Sequence, residues 1–237
     1  MALETLDPKN LANLMHCFRD ALQDHKESLN SLNVYPVPDG DTGSNMAATL
    51  NSVVSEINSL EENAELENII EAISHGSLMG ARGNSGVIIS QILRGFVSEI
   101  KSASRETIDA NLFSEALSAA AAAAYEAVGN PVEGTILTVV RETAEAAEKA
   151  VSEESSLLPV AEIAREAAKR SLDSTPELLP VLARAGVVDA GGSGFLLMMD
   201  SLLHVIDDRP MPEPEAVTVS VDALILDVHD ETSNNGT

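Results

Sequence analysis

Apolar residues recur at helical spacing along most of this chain. Leu11, Leu14, Met15, Phe18, Leu22, His25, Leu29 and Leu32 fall on one stripe and predict a first amphipathic helix that runs to the edge of a proline-rich turn. A second helix is expected from about Gly43–Asn45 to Leu60, and residues 66–80 read as a third. The fourth follows "GNSG": Ile88, Ile92, Phe96 and Ile100 form a stripe with Ile89, Leu93 and Val97 beside it. Residues 109–128 make an alanine-rich fifth, whose small side chains permit close packing, and a sixth follows "NPVEGT". A seventh covers about residues 159–172, "STPELLPVLARAG" holds a short one, and "GSGFLLMMDSLLHVI" is apolar nearly all round and belongs deep in a core. The pattern therefore predicts an all-α fold of eight or nine helices. Only residues 216–226, alternating and β-branched, read as a strand. They follow the proline-rich break "DDRPMPEPEA", so residues 1–208 are read as one domain and 209–237 as an acidic linker or stub leading toward a further domain.

Composition removes several function classes. With 237 residues, 44% of them hydrophobic, the chain can bury a real core, while its apolar runs hold too much alanine for a membrane span. The N-terminus lacks the basic start and apolar block of a signal peptide, so the expected compartment is the cytoplasm. Cys17 is the only cysteine, which rules out an intrachain disulfide and a cysteine-based metal site and leaves it as a small helix residue. Fourteen Lys and Arg against 38 Asp and Glu give a net charge of −24, which disfavours nucleic acid and anionic membranes as partners. From Ser28 to Ala81 there is no Lys or Arg at all, so an anionic ligand bound there needs a cation.

The chemistry is concentrated in turns. In "NVYPVPDGDTGSNM", Pro36 and Pro38 stiffen the crossing, and Asp39 and Asp41 stand two residues apart beside Gly40 and Gly43. Such a pair can converge on a hard divalent cation, and Mg²⁺ prefers a few carboxylates together with phosphate oxygens and water. An EF-hand fails on position, because Leu50 falls where the closing glutamate belongs. "GARGNSGVII", "NPVEGTILTVV" and "DAGGSGFLL" each put Gly, Ser or Thr ahead of an apolar helix, where free backbone N–H groups favour an anion. Taken singly, each is also what ordinary capping requires. Walker, HExxH and G-x-S-x-G patterns do not occur, and His16, His25, His75, His204 and His229 show no ligand spacing. Arg82, the one cation inside a motif, either meets phosphate or pairs with a surface carboxylate.

Four stretches in order, "LNVYPVPDGDTGSNM", "GSLMGARGNSGVIISQILRGF", "NPVEGTILTVV" and "AGVVDAGGSGFLLMM", resemble the N-terminal nucleotide-binding domain of the bacterial fatty acid kinase family, which is similar in turn to the L domain of dihydroxyacetone kinases. The resemblance implies a barrel of eight antiparallel amphipathic helices with nucleotide held by loops at one end. It implies Mg²⁺ and ATP or ADP as cofactors, with Asp39 and Asp41 as metal-binding catalytic residues and Asn33 as the nearest counterpart of a further metal-binding aspartate. Thr42, Ser44 and Asn45 would approach the phosphates. Gly83, Asn84, Ser85 and Gly86 would cradle them through backbone amides, and Thr135, Asp189, Gly191 and Gly192 would border the nucleoside. Thr42 stands where dihydroxyacetone kinases commonly carry His, which favours the fatty acid kinase branch. The implied partner is a protein carrying a fatty acid, with a homodimer also allowed. The alternatives are an L-type dihydroxyacetone kinase subunit and a nucleotide-binding regulatory module without turnover.

Overall fold

The computed structural model describes residues 2–154 and 156–214, so the strand expected over residues 216–226 and the end of the stub lie outside the described residues. Ten α-helices account for most of the rest: α1 Pro8–Asp24, α2 Lys26–Leu32, α3 Thr42–Asn58, α4 Leu66–Gly80, α5 Gly83–Ala103, α6 Ala110–Glu126, α7 Ile136–Val151, α8 Leu157–Leu178, α9 Pro180–Ala185 and α10 Ala190–Asp207. Among the described residues the only β pairing is an isolated bridge between Leu6 and Ile108.

Two boundaries differ from those the pattern predicts, each for a local reason. The first stripe is not one helix, because His25 (φ −89°, ψ 5°) separates α1 from α2. The hydrophobic phase survives the break since His25 N–H still donates to the Ala21 carbonyl at 2.9 Å and its own carbonyl still accepts from Leu29 at 3.0 Å. At the other end, α8 runs on to Leu178 through Pro176. A proline there removes the N–H that would reach the Leu172 carbonyl. Thr175 Oγ1 donates to that carbonyl instead, at 2.7 Å, so the last turn keeps its acceptor satisfied.

Eight of the helices close a ring. In sequence order α3, α4, α5, α6, α7 and α8 each pack on the next, α8 packs on α10, α10 on α1, and α1 returns to α3. Short connections make successive helices antiparallel. The Leu6–Ile108 bridge, with backbone bonds of 2.9 Å in both directions, sets the start of α1 beside the start of α6. Hence α1, α4, α6 and α8 start at one end of the barrel, and α3, α5, α7 and α10 start at the other.

The ring is filled by aliphatic side chains around four buried phenylalanines, Phe18, Phe96, Phe113 and Phe195. Phe96 and Phe113 meet edge to face, with centroids 6.2 Å apart, across the α5–α6 contact. That contact is close because Gly95 faces the alanines of α6. A Cβ at Gly95 would lie 2.6 Å from the Ala119 carbonyl oxygen and 2.7 Å from the Ala123 Cβ. Gly95→Val therefore wedges the two helices apart. The expected loss is about 3 kcal/mol, or roughly 10 °C in Tm. Gly129→Ala, where nothing lies within 4 Å, is the control and should melt with the unmodified chain. Equal melting of both variants in circular dichroism would contradict this packing.

Candidate functional site

Four helix starts on one end of a barrel bring four sets of free N–H groups to one place. A cleft of about 600 Å³ opens there, within the range of small-molecule sites. Its floor carries Asp41 and Thr42 from the start of α3, Gly83, Asn84 and Ser85 from α5, Thr135, Ile136 and Leu137 from α7, and Asp189 and Gly191 from α10. The proline turn forms one side with Asn33, Tyr35, Pro36, Val37 and Asp39.

The turn is built to present carboxylates. The Tyr35–Pro36 peptide is cis and Gly40 sits at φ +65°, a left-handed conformation that a side chain disfavours. Asp39 is exposed and Asp41 half-buried. Asn33, 7% exposed, donates from Nδ2 to Asp39 Oδ1 at 2.6 Å, which orients that carboxylate and leaves the Asn33 amide oxygen as its remaining hard donor. Asp41 occupies the N-cap position of α3, yet its side chain makes no capping bond. Capping is the usual use of an aspartate there. Among the described residues no Lys, Arg or His lines the cleft with these two carboxylates.

These donors fit a hard divalent cation. Among the described residues no group of three or more His, Cys, Asp and Glu converges to hold a metal. The chain offers two carboxylates and one amide oxygen, and the coordination positions left over suit phosphate oxygens and water, the mixture Mg²⁺ favours.

On the amide side of the site, the N-cap side chains of α3 and α5 make no capping bond, and at α3 only Ser44 N–H finds a side-chain acceptor, Asn30 Oδ1. The N-cap of α5 is Arg82, with no side-chain capping bond, and Gly83 stands at φ +58°. A Cβ at Gly83 would run into the Asn45 side chain, so the start of α5 lies directly on α3. Ser85 Oγ donates to the Thr42 carbonyl at 3.4 Å, a second tie between the two starts.

Asp189 does the opposite of Asp41. Its Oδ2 accepts from Gly192 N–H at 2.7 Å, and Ile136 and Gly191 N–H groups also donate to this carboxyl, so one side chain joins the starts of α7 and α10. Burial pushes its carboxyl up to about 6, against the pull of those three donors.

Several residues expected at the phosphates do not line the cleft. Gly86 N–H donates to the Arg82 carbonyl at 3.0 Å, inside the helix, and a Cβ there would lie 2.8 Å from Thr49 Oγ1. Gly86 thus packs α5 on α3, while Gly83, Asn84 and Ser85 line the cleft. Ser44 is turned to α2: its N–H donates to Asn30 Oδ1 and its Oγ accepts from Asn30 Nδ2, both at 3.0 Å. Asn45 lies beneath Gly83, with Nδ2 buried and unpartnered. Gly43 lets α2 approach, since a Cβ there would strike the Lys26 carbonyl oxygen. Gly192 likewise faces the protein, where a Cβ would lie 2.9 Å from Val139. Arg82 follows neither expectation, as its guanidinium donates to the Met79 and Ala81 carbonyls at 3.2 and 2.8 Å at the end of α4.

Other lining residues were not anticipated from the motifs. Tyr35, Val37, Val87, Ile88, Val128 and Val132 give the cleft an apolar side. Val37 and Val87 are 56% and 44% exposed, and an apolar side chain held open inside a polar, glycine-rich motif was the available signal.

A closed barrel of antiparallel helices, with four helix starts and an acidic turn facing one cleft, defines an all-α domain suited to an anionic ligand accompanied by a cation. The chain belongs to the DAK2 domain family, whose model matches residues 36–204. It is 38% identical over 235 residues to protein YloV of Bacillus subtilis (strain 168), covering 99% of this chain and 42% of that protein. It is also 41% identical over 210 residues to a protein of Staphylococcus aureus (strain USA300), covering 88% of this chain and 37% of the relative. The chain therefore spans about two fifths of the length of the curated relatives it matches. In fold it is similar to the dihydroxyacetone kinase of C. freundii, with a TM-score of 0.62 at 19% identity over 86% of this chain and 36% of that one. The complex of that kinase with AMP-PNP and Mg²⁺ gives a TM-score of 0.60 at 16% identity, over 86% and 35% of the two chains.

The Asp189 carboxyl makes stability depend on pH with a definite sign. Folded, it keeps its proton up to about 6, whereas its ordinary value is 3.8, so between these values the folded state holds more protons than the unfolded one. Its contribution is complete below about pH 4 and is lost as pH rises through about 6, amounting to at most about 3 kcal/mol. Asp189→Asn should remove this part of the slope in urea unfolding between pH 4 and 6.5. Parallel slopes for both proteins would contradict the assignment.

Proposed function

We propose that this chain is a nucleotide-binding phosphotransferase domain that holds ATP with Mg²⁺ and presents the terminal phosphoryl group to an acceptor carried by another protein or domain. The observation that carries the reading is the pairing, in one cleft, of two helix starts whose N-cap side chains make no capping bond with two carboxylates that no lining Lys, Arg or His neutralises. Free amides and helix dipoles attract phosphate, Asp39 and Asp41 repel it, and a nucleotide bridged by a divalent cation satisfies both. Dihydroxyacetone kinase of C. freundii, which shares the fold, has been solved with AMP-PNP and Mg²⁺, and this supports the same ligand class here.

In this reading Asp39 and Asp41, with the Asn33 amide oxygen, hold the cation. Gly83, Asn84 and Ser85 bind phosphate oxygens through N–H groups, and the apolar side of the cleft, with Thr135 and Gly191, borders the nucleoside. Mg²⁺, when bound, supplies the charge neutralisation that a lysine supplies in P-loop enzymes. The rest is orientation by groups already fixed in place, which is the main demand of phosphoryl transfer.

The ionisable side chains among the described residues lining the cleft support one class of acceptor. They are Asp39, Asp41, Asp189 and Tyr35; the first two serve the cation and the third is occupied by three N–H donors. A carboxylate acceptor is already ionised at neutral pH and needs no base, unlike an alcohol. This favours a fatty acid presented by an acyl-carrying protein over dihydroxyacetone. The L-type dihydroxyacetone kinase subunit remains the second reading, supported by the shared fold.

Calorimetry should show MgATP or MgADP binding that disappears in EDTA. Equal affinity with and without the metal would overturn the bridged-nucleotide reading. Asp39→Ala and Asp41→Ala should each abolish binding while Tm in metal-free buffer stays unchanged or rises slightly, because each relieves like-charge repulsion. Unfolding of both variants would make the aspartates structural instead. Acyl phosphate formation from ATP and an acyl-loaded fatty-acid-binding protein separates the fatty acid reading from the dihydroxyacetone one.

A further inference from the structure

One wall of the cleft belongs to no helix. The loop between α6 and α7, residues 127–135, contributes Ala127, Val128, Gly129, Asn130, Val132 and Thr135 to the lining. Much of it is exposed, and between its ends hydrogen bonds are few: Ala127 and Val128 N–H reach back to the Ala123 and Tyr125 carbonyls at 3.1 and 3.3 Å, and Thr135 Oγ1 donates to the Val132 carbonyl at 2.7 Å. A nine-residue loop with so little internal bonding has no reason of its own to hold one shape.

Behind it, off the cleft, stands a closed polar cluster. Glu133 Oε1 accepts from the Tyr125 hydroxyl at 2.9 Å, and Glu133 Oε2 accepts from Thr138 Oγ1 at 2.7 Å and from Arg141 Nη2 at 3.0 Å. Arg141 Nε donates to the Tyr125 oxygen at 3.2 Å, which closes the circuit, and its Nη1 reaches Glu145 at 3.0 Å. Thr138 Oγ1 in turn accepts the Gly134 N–H at 2.8 Å. The cluster thus ties the last turn of α6, the loop and the first turns of α7, and none of Tyr125, Glu133, Thr138 and Arg141 lines the cleft. An isolated exposed ion pair contributes little, whereas a carboxylate with both oxygens engaged by three side chains fixes a geometry. Burial pushes the Glu133 carboxyl up, but the bonds from Thr138, Tyr125 and Arg141 outweigh it and hold the group below its ordinary range, so the cluster keeps its charge at neutral pH.

We infer that Tyr125, Glu133, Thr138 and Arg141 are positioning residues that hold the 127–132 segment as a preformed wall for the nucleoside of the bound nucleotide. The inference rests on the nucleotide reading above and goes beyond it by separating nucleoside recognition from phosphate binding. The phosphate donors belong to the starts of α3 and α5, which the cluster does not touch. Loosening the wall therefore weakens a ligand that has a nucleoside and spares one that is phosphate alone.

The test compares MgATP with magnesium tripolyphosphate by calorimetry on the whole chain. Glu133→Gln should raise the Kd for MgATP at least tenfold and change that for magnesium tripolyphosphate less than twofold. Tyr125→Phe, which removes one oxygen, should act in the same direction by about threefold, and it carries the test if Glu133→Gln does not fold. A parallel loss of both ligands, or no loss of either, overturns the inference. If the unmodified chain binds magnesium tripolyphosphate as tightly as MgATP, the wall holds no nucleoside and the inference falls while the phosphate site stands. If it binds neither, the nucleotide reading itself fails and this one with it.

Discussion

Everything at the cleft depends on one constraint: in a closed ring of antiparallel helices, alternate helices start at the same end. Each start leaves backbone N–H groups that its own helix cannot satisfy, together with the positive end of the helix dipole. Here α3, α5, α7 and α10 share that burden, and the chain handles the four differently. Asp189 spends its carboxyl on the starts of α7 and α10, α3 has only the Asn30 side chain on its Ser44 N–H, and α5 receives no bond from its N-cap side chain. Meanwhile Asp39 and Asp41 share the cleft with no Lys, Arg or His among its described lining residues. Under the proposed function, a single ligand that brings an anion to the amides and a cation to the carboxylates answers both.

The ring can close around so small a site only because its walls are thin where they must be. The chain has 3% aromatic residues, and all four phenylalanines are buried. Elsewhere the helices meet through alanine and glycine, as at Gly95 against α6 and Gly86 against Thr49. Close backbone approach at Gly86 sets the start of α5 on the start of α3, so the packing that stabilises the barrel also fixes the spacing between the N–H cradle and the acidic turn. Core and site are in this respect the same contact.

That coupling explains which parts were legible in the sequence. Helix existence and order follow from periodicity, because burial of one stripe is the main thing a helix in such a ring does. The His25 break and the extension of α8 past Pro176 were not legible, since each is decided by a single substituted hydrogen bond that leaves the periodicity intact. Asp39, Asp41, Gly83, Asn84, Ser85, Thr135, Asp189 and Gly191 do line one cleft. Ser44, Asn45 and Gly86, from the same motifs, do not. In a first helical turn, neighbouring residues differ by about 100° in direction, so a motif names the turn without saying which members face the ligand. Asn30, which turns Ser44 away, lies 14 positions earlier and carries no motif of its own.

A chain of net charge −24 is an improbable receptor for a polyphosphate until distances are considered. At physiological ionic strength the Debye length is about 8 Å, so most surface carboxylates act on an incoming anion only weakly and mainly reduce its rate of encounter. Inside the cleft the balance is set by groups within hydrogen-bond reach. There the amides of α5 and the dipoles of four helices favour the anion, the Asp189 carboxyl is already engaged by three N–H donors, and Asp39 and Asp41 oppose the anion at comparable range. A cation on those two residues reverses their sign toward phosphate, which turns the local opposition into attraction and leaves the distant acids irrelevant to affinity. The absence of Lys and Arg from Ser28 to Ala81 is then no defect of the site. A fixed lysine would compete for the aspartates, whereas under the proposed function carboxylates left without one couple occupancy by nucleotide to occupancy by metal.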